Sequence, residues 1–157
     1  MSTNYINTYN NLIKLTRNKN LYINTNSDEN FSVRLIFYLL HFAFFLKIFK
    51  TNDNKKIMQE IYDYNFRQIE IAIREIGYGD VSINKKMKDY LNLFHKIILD
   101  INDWEKISIE KKMFFFKNYL NDKCNTKFYI DYFDKYAENL KKNTLNSFIN
   151  NILELKI

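Results

Sequence analysis

The chain has no proline and only two glycines in 157 residues. Positions where the backbone can turn sharply are therefore few, and both glycines fall at one place, Gly77 and Gly79. A single cysteine, Cys124, excludes an internal disulfide framework and suits a reducing compartment. The only histidines are His41 and His95. Phosphate loop, dinucleotide fingerprint, hydrolase elbow and clustered metal-ligand spacing are all absent from the sequence. No catalytic residue, metal or cofactor is nominated, and the chain is expected not to be an enzyme. The start, MSTNYINTYNN, has no basic-then-apolar secretory pattern and is not an Arg-rich transit peptide. From this the chain is expected to stay where it is made. The longest apolar run, residues 35–46, contains His41 and stops at Lys47. It falls short of the roughly 20 residues needed to span a bilayer.

What the chain does have is apolar and aromatic residues, 46% and 17%, and a net charge of +6. That composition excludes disorder and allows one domain with a sizeable core. The positive balance suits nucleic acid, ribosomes or anionic lipid. The abundance of Asn, Lys, Ile, Tyr and Phe, which AT-rich codons specify, offers a second cause for it.

Helix-period patterns dominate, so the expected fold is all-α. It is a compact single-domain bundle of about six to seven helices around a central apolar helix. One domain is expected over 1–157, with an N-terminal helix and loop in 1–30, a core in 31–101 and further helices in 102–157. Residues 24–30 read as a polar loop that could hold a one-turn helix. Residues 35–49 are apolar on every side, as in a central core helix, with His41 a hydrogen-bonded core histidine. An exposed face docking on a membrane or on an apolar client helix is the other option for that segment. Asn30 or Ser32, Ser108, and Asn143 or Thr144 read as helix caps.

The two glycines sit inside EIAIREIGYGDVSINKKMK, residues 70–88. Upstream, Met58, Tyr62, Phe66, Ile69, Ile73 and Ile76 form one helical face, and Arg67, Glu70 and Arg74 belong to the opposite one. Glu70 and Arg74 have the favourable i,i+4 order. Gly77 is placed to end this helix in a left-handed conformation. Ser82 is the expected cap of the next helix, which carries Ile83, Met87, Tyr90, Leu91, Phe94 and Ile98 on its apolar face.

The stretch YDYNFRQIEIAIREIGYGDVSINKKMKDYLNLFHK, residues 62–96, resembles the signature of the ubiquinol–cytochrome c chaperone family, also called cytochrome b assembly factors. The matching positions are Asp63, Arg67, Arg74, Glu75, Gly77, Gly79, Asp80, Ser82, Lys85, Met87, Lys88 and Phe94. The upstream LIFYLLHFAFFLKIF resembles the family's apolar helix, with His41 at its histidine. The likeness covers about residues 31–96. Gln68 and Asn84 depart from the family's usual acid and proline, and Phe94-His95-Lys96 lacks its glycine. The resemblance implies a non-catalytic chaperone that holds newly made cytochrome b and promotes assembly of the respiratory bc1 complex. It also implies the ribosome and a small partner protein as further contacts. Expected partner-binding residues are Arg67, Arg74, Glu75, Tyr78, Asp80, Lys85 and Lys88. Gly77, Gly79 and His41 are expected to be structural. The expected place is the cytoplasmic face of a bacterial inner membrane, as a peripheral protein. The alternative is a basic helical module that binds RNA or ribosomes.

Overall fold

The computed structural model describes residues 4–155 and 157. Eight helices and no strand occur among them. They are α1 (Ile6–Thr16), α2 (Lys19–Ile23), α3 (Phe31–Phe49), α4 (Lys55–Glu75), α5 (Asp80–Ile101), α6 (Ile109–Tyr119), α7 (Thr126–Lys141) and α8 (Leu145–Asn150). The all-α expectation holds, with one or two more helices than foreseen. The short helix near the start is α2, ahead of the polar loop rather than inside it. The Asn18 side chain caps it by accepting from the Asn20 N–H at 3.0 Å.

Apolar side chains surround α3, and α3 is central. Leu39, Leu40, Phe42, Ala43, Phe44 and Phe45 have no exposed surface. Phe42 stacks on Phe94 of α5, Phe44 on Phe133 of α7, and Phe45 meets Phe148 of α8 edge-on. Asn30 caps the helix through the Val33 N–H at 3.0 Å, one of the two foreseen caps. The helix is 19 residues long with hydropathy 1.7, enough by length and composition to cross a membrane. This corrects the expectation that the segment is too short: Arg34 and Lys47 interrupt the apolar run but not the helix. In the fold, 56% of that stretch is buried against other helices.

Buried polar groups fix how the helices dock. His41 Nδ1 donates to the Phe37 carbonyl at 2.6 Å, which leaves Nε2 to accept from the Tyr132 hydroxyl at 2.7 Å. Tyr136 donates to the His41 carbonyl at 2.9 Å, so α3 and α7 are joined by two phenols. On the other side Tyr38 donates to Asn65 Oδ1, and Asn65 Nδ2 donates to Thr8 Oγ1 at 3.1 Å. That chain ties α3, α4 and α1 together. Asn11 donates to the Phe148 and Asn151 carbonyls and accepts from the Leu153 N–H. It thereby lays residues 151–153 along α1. The pattern break at 102–104 is a turn anchored by buried Trp104, whose Nε1–H donates to Asp134 at 2.9 Å. Ser108 and Thr144 cap α6 and α8 as foreseen.

The corner between α4 and α5 is set by one glycine. Gly77 has φ +102°, which L side chains rarely adopt, and its N–H closes α4 onto the Arg74 carbonyl at 3.0 Å. Gly79 differs from its expected role. Its φ of −74° and ψ of 163° are open to any residue, and it serves as the N-cap of α5. Ser82 is therefore not the cap. The Ile83 N–H already bonds the Gly79 carbonyl at 2.9 Å, so α5 starts two residues before Ser82. Asp80 occupies its first turn, where the helix dipole favours a carboxylate.

Two outcomes are expected. Gly77→Ala should cost about 1–3 kcal/mol through backbone strain alone, because a Cβ there meets nothing within 4 Å. Gly79→Ala should stay within about 0.5 kcal/mol of the wild type. Urea denaturation of the two variants separates these. The second outcome concerns His41, whose pKa burial lowers to about 4 against the opposing pull of the Phe37 carbonyl. The unfolded chain, with an ordinary His pKa near 6.5, binds the proton first. Stability should fall as pH drops from about 6.5 to about 4, by about 3 kcal/mol in total, and level off below. His41→Gln should remove that component from the difference in urea midpoints measured across the same pH range.

Candidate functional site

The corner and the two helices that flank it place the expected partner-binding residues in solvent. Arg67, Arg74, Glu75, Tyr78, Asp80, Lys85 and Lys88 are all exposed. The α4 and α5 helices project them from a rigid base. Phe66 of α4 packs edge-on against Phe94 of α5 at 5.1 Å, and Ile69, Ile73 and Ile83 are buried beneath the corner.

Arg74 is the electrostatic hinge of the corner. Its Nη1 donates to Asp80 Oδ1 at 2.7 Å, and its Nη2 to Glu70 Oε1 at 3.3 Å. The bond to Asp80, then that to Glu70, holds the guanidinium even further above its ordinary pKa. One cation thus links the last turn of α4 to the first turn of α5. Arg67, Glu75, Lys85 and Lys88 make no ion pair among the described residues. Arg67 and Lys85 thus leave the corner carboxylates Glu70, Glu75 and Asp80 to Arg74. Arg74 alone satisfies two of the three acids.

Tyr78 lies under Lys86, whose ammonium is 4.4 Å from the ring centroid. This cation–π contact holds the tip of the turn against α5. Lys86 was not among the nominated lysines, yet it is the one that packs at the corner. Ile76 and Tyr78 border a small hollow that reaches Phe31 at the start of α3.

Several exposed apolar residues at the corner were not nominated from the sequence. Ile76 was assigned to the buried face, but it is 49% exposed. The Gly77 turn ends α4 there and carries Ile76 past the core. Val81 is 86% exposed and Ile71 44%. Ile71 lies between Arg67 and Arg74 at i,i+4,i+7 spacing, and Val81, Lys85 and Lys88 repeat that spacing on α5. Each helix therefore presents one apolar residue in line with two cations. The signal was in the sequence, because Ile71 is out of phase with Ile69 and Ile73.

The histidines and the cysteine lie elsewhere. His41 is fully buried and hydrogen-bonded at both ring nitrogens. His95 is exposed and shares a 3.0 Å hydrogen bond with the Tyr62 hydroxyl. Cys124 is buried, and burial pushes its thiol pKa up, away from thiolate reactivity. Among the described residues, no three His, Cys, Asp or Glu side chains gather as a metal site.

Two comparisons return nothing: neither a curated protein nor a solved structure matches the chain. A third gives a match. The family model described as ubiquinol-cytochrome C chaperone covers residues 25–103, half of the chain. That interval begins before α3 and ends just after α5, so it contains the central helix, the Gly77 corner and every residue nominated for partner contact. The chain belongs to the ubiquinol–cytochrome c chaperone family.

Proposed function

We propose that this protein is a non-catalytic assembly chaperone of the respiratory bc1 complex and that its client is newly made cytochrome b. One observation carries the proposal. Within the segment that matches the family, Arg67, Arg74, Glu75, Asp80, Lys85 and Lys88 carry the resemblance and yet take no part in the core. A fold that needed them only for stability would bury or pair more of them. Their role is outward, on a base made rigid by α4 and α5.

The contact surface in this proposal is the corner. Arg67, Arg74 and Lys85 supply charge-assisted hydrogen bonds, and Tyr78, Ile71, Ile76 and Val81 supply apolar area. Aromatic and Arg anchors around exposed apolar residues match the make-up of protein interfaces. Glu75 and Asp80 give the surface both signs of charge, which fits a protein client better than a polyanion. A client that is a membrane protein would bring the chaperone to the cytoplasmic face of the inner membrane as a peripheral protein. The ribosome and a small partner protein remain further contacts within the same proposal.

RNA or ribosome binding alone is the second reading. It is favoured by the five cations against three carboxylates between Arg67 and Lys88. It predicts affinity that falls steeply with salt.

The test is the dithionite-reduced visible spectrum of membranes from cells with and without the gene. Deletion should selectively lower the b- and c-type signals of the bc1 complex. The wild-type gene should restore them. Arg74→Ala/Asp80→Ala and Val81→Asp, all at exposed positions, should restore them by less than half while the melting temperature falls by no more than a few degrees, the worth of an exposed ion pair. An unchanged spectrum in the deletion strain would overturn the assembly role. Full restoration by both variants would overturn the corner as its contact surface.

A further inference from the structure

A second feature adjoins the corner, with Phe31 bordering both. A half-open cleft of about 450 Å³ runs between α1, α2, the start of α3 and the end of α4. This volume falls in the range of small-molecule sites, about 300–1,000 Å³. Its wall is apolar: Tyr9, Ile13, Phe31, Leu35, Ile69 and Ala72. Two further phenols line it with their hydroxyls turned to the protein. Tyr22 donates to the Thr16 carbonyl at 2.6 Å, and Tyr38 donates to Asn65. Those rings therefore offer hydrocarbon and not hydrogen bonds.

The charged groups of the cleft are Arg17, Lys19, Arg34 and Glu29. All four are exposed, so they stand at the mouth. None of the three cations forms an ion pair among the described residues. The mouth therefore carries three cations against one carboxylate, above an apolar floor. Arg17 comes from the α1–α2 link, Lys19 from the start of α2, and Arg34 from the first turn of α3. An interior that takes hydrocarbon and a rim that takes negative charge define an amphiphile. A neutral apolar molecule leaves the cations unused, and a free small anion leaves the wall uncovered.

We propose that this cleft binds a single-chain anionic amphiphile, with its hydrocarbon chain along the wall and its carboxylate or phosphate between Arg17, Lys19 and Arg34. The cleft adjoins the corner at Phe31 but is lined by different charged groups, and the inference does not depend on the client. A free fatty acid and a lysophospholipid share this chemistry, and competition separates the two sources.

The experiment uses the purified full chain and cis-parinaric acid, a fluorescent polyene fatty acid, at concentrations where it is monomeric. A saturable rise in fluorescence at about one probe per chain is expected. Palmitate and palmitoyl lysophosphatidate should displace it, and whichever does so at lower concentration identifies the favoured headgroup. Methyl palmitate and inorganic phosphate should compete at least about tenfold more weakly, a difference of about 1.4 kcal/mol. Ala72→Trp, which fills the cleft from α4, should weaken binding at least about tenfold. Arg17→Glu/Arg34→Glu changes only exposed side chains and should weaken the acids without weakening methyl palmitate. If Ala72→Trp loses its helical circular dichroism, the charge-reversal variant alone decides. Absence of one-to-one binding would overturn the proposal. So would equal affinity in the folded variants, equal competition by inorganic phosphate, or binding seen only with anionic vesicles and indifferent to Ala72→Trp.

Discussion

Everything in this fold follows from a helix that has no polar side. A stretch such as LIFYLLHFAFFLKIF can be stable in water only if other helices cover it all round. α5, α7, α1 and α8 do this, and their aromatic rings interlock with those of α3. The single imidazole inside has to be neutral and fully hydrogen-bonded, because an unpaired polar group there would cost about 1–3 kcal/mol. Tyr132 and the Phe37 carbonyl satisfy it. The requirement that buries His41 also fixes the angle and register of α7. A phenol reaches the ring at one rotation of that helix only, and Tyr136 one turn later reaches the backbone.

The parts of the structure that repeat at helical spacing were legible in the sequence. The central helix, the α4 and α5 faces, the Gly77 break and the caps at Asn30, Ser108 and Thr144 all rest on local rules. Residues whose role depends on distant chain were harder. Asn65 sits on α4 between Ile61 and Phe66 and reads as a polar interruption, but Tyr38 and Thr8 make it a buried node. Asn11 behaves in the same way toward Phe148, Asn151 and Leu153. At the corner, the charged residues were found through the resemblance. Ile76 was passed over because an apolar residue at helical spacing is ordinarily assigned to the core, whereas Ile71 and Val81 stand off the apolar faces of their helices and were given no role.

A wealth of asparagine looked like drift in composition, and the fold puts much of it to use. With no proline and one demanding glycine, asparagine does most of the punctuation. It caps α2, α3 and α7, and Asn26 takes the positive φ of 55° in the loop before α3. Side-chain amides of Asn26 and Asn121 then stitch that loop to the one between α6 and α7. A short polar side chain that mimics the backbone substitutes for both missing turn formers. Codon bias can supply such residues, but it does not decide where they fall.

The strap formed by residues 151–153 on α1 bears on the order in which the molecule can close. Asn11 Oδ1 receives the Leu153 N–H across 142 positions of chain, and Asn7 meets the Ile149 carbonyl across the same distance. The buried side of α1 thus has part of its hydrogen bonding supplied by residues made some 140 positions later. During synthesis the α3–α5 hairpin, built from nearer contacts, can assemble while α1 still lacks its partner. The seam between early and late chain can therefore seal only after residues 149–153 are made, onto an α1 already docked on α3 and α4 through Tyr9 and Thr8.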